Sequence, residues 1–276
     1  MKLLNGSELA GYIKERQAKQ VRVLRQAHRV FPKLAIVQTV DDPVIDTYVR
    51  LKKQYGDDIL IDVELHKIDQ SEAESTIKQL NNDESIHGII VQLPLAEPSQ
   101  TDRLVNLVAP EKDVDALGEN ATLDAATPMA INWLLAGYSV DLNQKKIAII
   151  GKGRLVGAPL ARMWRNSGYD VTVIDRDTSD ATEVIRASNV IVTAAGAPGI
   201  ITSEMLQPDA VVVDAATSSE DGKIVGDVAP DVRARHDLTI TPERGGVGPL
   251  TVTALFDNVI RAATLKSAAT QVPEQT

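Results

Sequence analysis

Hydrophobic and polar positions along the chain switch repeatedly between a period of two and one near 3.6, which predicts strands alternating with helices. Residues 7–29 read as a long amphipathic helix starting at Ser7. The run 33–40 (KLAIVQTV) is almost wholly apolar, as a strand buried on both faces must be. Asp42 and Pro43 then offer a capping side chain and a first-turn proline to a second helix. A half-buried strand over 59–66 (ILIDVELH) follows, and then a helix begun by the capping-box spacing of Ser71 and Glu74. A strand over 86–93 (IHGIIVQL) and a helix from about Ser99 complete this series.

A second series opens at Thr127-Pro128, again a cap followed by a proline. Its strands are predicted at 145–150 (KKIAII), 170–175 (DVTVID), 189–194 (NVIVTA), 210–215 (AVVVDA) and 238–241 (LTIT). Helices are predicted at 156–167, at 179–187 and from near Pro249, with a frayed polar tail over 267–276. Such alternation implies an α/β fold with parallel sheets and right-handed crossovers. No repeat or low-complexity linker separates the two series, so the boundary is placed near 120–128.

Composition narrows the function classes. The chain has 276 residues, long enough for two α/β domains, and a net charge of −9, which disfavours nucleic acid and anionic membranes as partners. It has no cysteine and four scattered histidines, so disulfides and thiolate chemistry are excluded and no metal site is expected. No apolar run reaches the length of a membrane span, and Asn5-Gly6 arrive too early for a secretory signal. The expectation is a cytoplasmic enzyme.

Chemistry-bearing residues fall in both halves. The strand KKIAII runs into Gly151-Lys152-Gly153-Arg154-Leu155-Val156-Gly157 and then a helix, the setting of a dinucleotide phosphate turn. One glycine permits the tight turn and another lets backbone amides approach a pyrophosphate at the helix N-terminus. Asp175, at the end of the next strand, suits the ribose hydroxyls of NAD, whereas Lys152 and Arg176 suit the 2′-phosphate of NADP. In the first half, Tyr48 and Lys52 lie four apart on one helix face. Gln92-Leu93-Pro94-Leu95 puts an amide at a strand end, and Pro110-Glu111-Lys112-Asp113-Val114-Asp115 forms an acidic turn.

These segments resemble the methylenetetrahydrofolate dehydrogenase/cyclohydrolase family. The matching pieces, in order, are LLNG, PKLAIVQ, DDP, YVRLK, GIIVQLPL, PEKDVD, ATP, the glycine turn with VGAP, AAGAPGII, GKIVGDV and GGVGPLT. The resemblance implies an N-terminal βαβ catalytic domain, residues 1–122 joined by a C-terminal helix at about 255–276. It also implies a Rossmann-like NAD(P)-binding domain, residues 123–254, with the active-site cleft between them. Methylenetetrahydrofolate would be oxidised to the methenyl form, and the methenyl form hydrolysed to formyltetrahydrofolate. By resemblance Lys52 is the catalytic lysine and Gln92 positions it. Tyr48 stacks on the folate, Asp115 holds the pterin, and Leu93 and Pro94 line the folate site. Gly151, Lys152, Gly153, Val156, Gly157, Asp175, Arg176, Ala195, Gly196, Gly245, Gly246 and Thr251 would contact the dinucleotide. A homodimer is implied by the resemblance alone.

The chain departs from the family pattern at several of these places. Ala116, Ala130 and Ala216 replace glycines, and Ala126 replaces a cysteine. Gly151-Lys152-Gly153 stands where Gly-Arg-Ser is usual. Asp175-Arg176 replaces His-Ser, and Glu243-Arg244 replaces Val-Pro. The coenzyme is therefore left open: the resemblance favours NADP and Asp175 favours NAD. A monofunctional enzyme and a non-catalytic paralogue are the alternatives; the second would be favoured by loss of Lys52 or Asp115, and both are present.

Overall fold

The computed structural model describes residues 1–216, 218–220 and 223–270. The chain forms two compact units, one combining Met1–Ala10 with Thr127–Thr251, the other Gly11–Ala126 with the segment from Val252. The first ten residues thus leave the N-terminal half in which the sequence reading placed them. The reason is β1 (Lys2–Leu3), too short to read as a strand, which pairs in parallel with residues 239–240.

Next come α1 (Gly6–Ala27), β2 (Lys33–Gln38), α2 (Pro43–Ile59), β3 (Asp62–Lys67), α3 (Ala73–Asn82), β4 (Gly88–Val91) and α4 (Thr101–Val105). The three strands make a parallel sheet in the order β3-β2-β4. Five of the six residues of the central strand β2 are buried, which its apolar run requires. Strand alternation divides its side chains between two faces. Ala35 and Val37, with Ile89 and Val91 of β4, pack on Ile77 and Leu80 of α3 and Leu104 of α4. Leu34, Ile36 and Gln38 therefore point to the other face, as do Ile90 and Gln92. There Gln38 donates to Asp46 of α2 at 2.8 Å.

α2 begins as the sequence predicts: the Asp42 carboxylate accepts from the N–H groups of Val44 and Ile45, and Pro43 occupies the first turn. Its end lies later than expected. Residues 59–61 are not strand, because the helix runs to Ile59 and closes on Leu60 in the left-handed region (φ 65°). Ser71 does not cap α3 either; it lies in a 3-10 turn, Gln70–Glu72, that leads into the helix without a side-chain cap. The helix expected from Ser99 is a 3-10 turn, Pro98–Gln100, followed by the five residues of α4.

The second series contains α5 (Ala126–Gly137), β5 (Lys146–Ile150), α6 (Gly157–Asn166), β6 (Asp170–Ile174), α7 (Ala181–Ala187), β7 (Val190–Thr193) and β8 (Val211–Asp214). A hairpin, β9 (Ser218–Glu220) and β10 (Lys223–Val225), precedes α8 (Pro230–Arg233), β11 (Thr239–Ile240) and α9 (Val247–Thr270). Six parallel strands lie in the order β1-β11-β8-β7-β5-β6. From β5 the chain passes first to β6 on one side and then to β7 on the other. That reversal makes the carboxyl ends of β5 and β7 the switch point at which such sheets bind ligands. The antiparallel hairpin was not anticipated. Residues 267–270 continue α9 rather than fraying, and 271–276 lie outside the described residues. Among the described residues no helix is long and apolar enough to cross a membrane.

One buried group ties stability to pH. His87, just before β4, is buried and its Nδ1 has no hydrogen-bond partner. Burial, then the charges of Lys266 and Lys112, push its pKa down to about 4, against weaker opposing effects of Ser85 and Glu84. The unfolded chain therefore binds a proton near pH 6.5 that the folded chain refuses until about pH 4. Stability should fall as pH drops through that window, by up to about 1.4 kcal/mol per pH unit. Denaturant titrations of His87→Gln should show a shallower slope there; an unchanged slope would assign the acid sensitivity elsewhere.

Candidate active site

Lys52 lies on the face of α2 that covers the sheet, one turn after Tyr48; both side chains are half-buried. Side chains on a helix lean toward its N-terminus, so Lys52 reaches back to the strand ends, where its Nζ donates to Gln92 Oε1 at 2.7 Å. Gln92 extends the β4 ladder through its own N–H to Val37 O and spends its Nε2 on Leu93 O. That leaves the amide oxygen turned toward the lysine. Leu93 is half-buried and Pro94 exposed, and the peptide bond between them is cis.

Asp115 is the third member. Burial lowers the Lys52 pKa, and the Asp115 charge opposes that; burial raises the Asp115 pKa, and the Lys52 charge opposes that. Each thus feels the other, and for each the loss of water outweighs the pairing. The result is an amine biased toward its neutral form within the field of a carboxyl group. The structure thereby brings together Lys52, Gln92 and Asp115, three residues 40 and 23 positions apart in sequence.

The rest of the acidic turn is structural. Lys112 is buried and donates to the carbonyls of Leu80, Asn81 and Asp83 at the end of α3. Asp113 accepts from the N–H groups of Gly118 and Leu117. The sequence reading also missed Gln38, fully buried beside Gln92 on the α2 face, which donates to Val40 O and Asp46.

In the other unit the glycine turn has the form its sequence suggests. Gly151 sits at φ 99°, and a Cβ there would lie 2.6 Å from Ala194 O. A Cβ on Gly157, which opens α6, would lie 1.9 Å from Gly151 O. Around Gly153 there is open space, and α6 has no side-chain cap at its N-cap residue, Val156. Two glycines close the turn on itself while the third leaves its backbone approachable, so these residues fit a dinucleotide phosphate. A shallow depression at the opposite end of the sheet, lined by Lys146, Asp170 and Ser188, lies away from this turn.

Asp175, just past β6, accepts from Lys152 Nζ at 2.6 Å and from Asp177 N. Lys152, then the Asp177 amide, hold the carboxyl below its usual range. Arg176 is exposed. Ala195 spends its N–H on Asp227, a fully buried residue that also accepts from Thr193 Oγ1 and Ala197 N and so shapes the loop around Gly196 (φ 67°). Asp214 in turn accepts from the N–H groups of Ala216, Asp227 and Val228 and from Arg233. The sequence reading named neither carboxylate as a site residue, although Asp227 stands within GKIVGDV. Thr217 and Gly222 lie outside the described residues.

Gly245 and Gly6 are explained by the close approach of the chain's start to this turn, whereas a Cβ on Gly246 would lie 3.1 Å from Thr241 Cβ. A Cβ on Gly245 would lie 2.6 Å from Ser7 Oγ, and one on Gly6 would lie 1.8 Å from Gly246 O. Thr251 bonds Thr127 and Val247 O.

The catalytic-domain model of the tetrahydrofolate dehydrogenase/cyclohydrolase family matches residues 4–115, and its NAD(P)-binding-domain model matches residues 125–267. The chain belongs to this family. Bifunctional protein FolD of Macrococcus caseolyticus is 34% identical to it over 275 residues, covering 95% of this chain and 97% of the relative. A crystal structure of the bifunctional enzyme FolD, methylenetetrahydrofolate dehydrogenase/cyclohydrolase, from Campylobacter jejuni is similar with a TM-score of 0.91. It is 33% identical and covers 96% of this chain and 99% of that one. Trypanosoma brucei FolD, solved with NADP cofactor and inhibitor, gives a TM-score of 0.89 at 28% identity over 98% of each chain. The tetrahydrofolate dehydrogenase/cyclohydrolase family thus accounts for both units: a catalytic domain and a Rossmann-like NAD(P)-binding domain.

Two of the alanines that depart from the family pattern differ in consequence. Ala116, next to Asp115, has φ 54°, a conformation that disfavours a Cβ. Ala216 is not among the residues with positive φ. Ala116→Gly should therefore stabilise the protein by about 0.5–1 kcal/mol, relief of strain exceeding the entropy glycine adds to the unfolded chain. Ala216→Gly should destabilise it slightly. Thermal denaturation of the two variants reads the contrast, and equal shifts would show that the backbone at 116 carries no strain.

Proposed function

We propose that the chain oxidises methylenetetrahydrofolate to methenyltetrahydrofolate with a nicotinamide dinucleotide, and that it hydrolyses the methenyl form to formyltetrahydrofolate. Both activities belong to the family, and the observation that carries the reading here is the Lys52–Gln92 hydrogen bond within the field of Asp115. A pterin presents an amino group and a ring N–H side by side, and the Asp115 carboxylate can accept from both. Tyr48, one turn before Lys52, offers a ring on which the folate can stack.

The bound nicotinamide supplies the acceptor for the hydride. The protein's part in that step is alignment, since transfer needs the two carbons about 3–3.5 Å apart and no acid or base. In the hydrolytic step water adds to the methenyl carbon and gives up a proton. Lys52, biased toward the neutral amine, takes that proton as the C–O bond forms. One C–N bond of the ring then breaks as the remaining hydroxyl gives up its proton and becomes the formyl carbonyl, and the released nitrogen takes up a proton in its place. Gln92 Oε1 accepts from the amine and from the ammonium alike, so the lysine keeps its place through the cycle. Lys52→Met should cut formyltetrahydrofolate production by at least about 100-fold, with dinucleotide affinity unchanged. Near-normal hydrolysis would take the lysine out of the mechanism.

For the coenzyme we infer a preference for NAD. Asp175 stands ionised at the end of β6, where it can accept from both ribose hydroxyls, and its nearest cation, Lys152, is already engaged with it. A 2′-phosphate would bring further negative charge to that carboxylate. Asp175→Ser should remove the repulsion, free Lys152 and move the kcat/KM ratio toward NADP by at least about tenfold, the equivalent of about 1.4 kcal/mol. An unchanged ratio would make Asp175 a bystander.

A further inference from the structure

We propose that Asn258 is a positioning residue for Asp115, holding the folate carboxylate from the far side of its loop. The inference rests on the reading of Asp115 given above.

Between the end of α4 and the start of α5 the described chain has no helix or strand, and Asp115 lies in the middle of that stretch. On its N-terminal side the loop is tied to β4 by a bridge between Asp113 and Ile89 and by the buried Val114, which packs against Gly88. On its C-terminal side Ala116 has φ 54°, a conformation that a non-glycine residue keeps only when its surroundings enforce it. Asp115 itself is therefore the point where the chain turns away from its anchor.

Asn258, on α9, supplies the missing restraint. Its Nδ2 donates to Val114 O at 2.9 Å and to Asp124 O at 2.8 Å, so one amide nitrogen ties together carbonyls ten residues apart. Val114 C=O and Asp115 N–H belong to one planar peptide unit. Fixing that oxygen fixes the plane from which the Asp115 side chain departs.

The same amide has an unfavourable side. Asn258 is buried, and its Oδ1 has no hydrogen-bond partner. Exchanging the two ends of the amide would set an oxygen against two carbonyls, so the loop alone dictates its orientation. An apolar side chain would remove that unsatisfied oxygen but would take from the carbonyls of Val114 and Asp124 the donor they share. What the amide adds in return is the geometry of the loop that carries Asp115.

The test is a double-mutant cycle on the whole chain, reading KM for methylenetetrahydrofolate, dinucleotide affinity and the melting temperature. Asn258→Ala should raise KM at least tenfold with dinucleotide affinity unchanged within twofold. In an Asp115→Ala background the same substitution should add less than twofold. Asn258→Ser keeps one donor for one of the two carbonyls and should fall between; it also serves if the alanine variant does not fold. An unchanged KM in a folded variant, or the same rise in both backgrounds, overturns the proposal by leaving Asn258 a packing role only. If Asp115→Ala alone leaves KM unchanged, the role given to Asp115 fails, a result distinguishable from failure of Asn258 to act on it.

Discussion

The polar arrangement at the strand ends of the catalytic unit depends on one amine partly withdrawn from water. Lys52 trades hydration for a single amide oxygen and the field of a carboxyl group, and the trade is incomplete, so its charged form is disfavoured. Such an imbalance is costly for stability and useful for proton transfer. It requires that Gln92 and Lys52 meet at a fixed distance. Burial of β2 on both faces provides this, because it fixes which side chains of the sheet look toward α2. The same alternation that sends Val37 and Val91 to α3 sends Gln38 and Gln92 to the helix that carries Lys52.

Loops in both units are held by buried polar side chains together with isolated strand bridges. Asp113 and Asn258 fasten the stretch around Asp115, while Asp227 and Asp214 fasten the segments that follow β7 and β8. A buried acceptor left without donors is expensive, so each of these side chains enforces its loop's shape strongly. Lys112 belongs to the same group. Its charge is spent on the last carbonyls of α3, although in sequence it looks as catalytic as its neighbours.

At the nucleotide end, glycine and charge play separate parts. Gly151 and Gly157 are needed because backbone atoms stand where a Cβ would go, and Gly153 keeps the space beside the turn clear. Charge is concentrated at the end of β6 in Asp175 and Lys152, a pair that closes on itself.

The sequence by itself determined the α/β class, the two series of alternating strands and helices apart from β1, the β9–β10 hairpin and α8, the capping of α2 by Asp42 and the glycine turn, because each rests on neighbours in the chain. Family resemblance, itself a property of sequence, singled out Lys52, Gln92 and Asp115. The residue pattern without that resemblance could not separate Asp115 from Asp113 and Lys112, since all three are charged residues of one turn. The attachment of the first ten residues to the nucleotide unit, the end of α2 at Leu60 and the strained backbone at Ala116 were decided only by tertiary structure. So were the roles of Gln38, Asp227 and Asn258. A two-residue strand has no periodicity to read, and a buried amide or carboxylate looks like any surface one until its partners, tens or hundreds of residues away, are brought beside it.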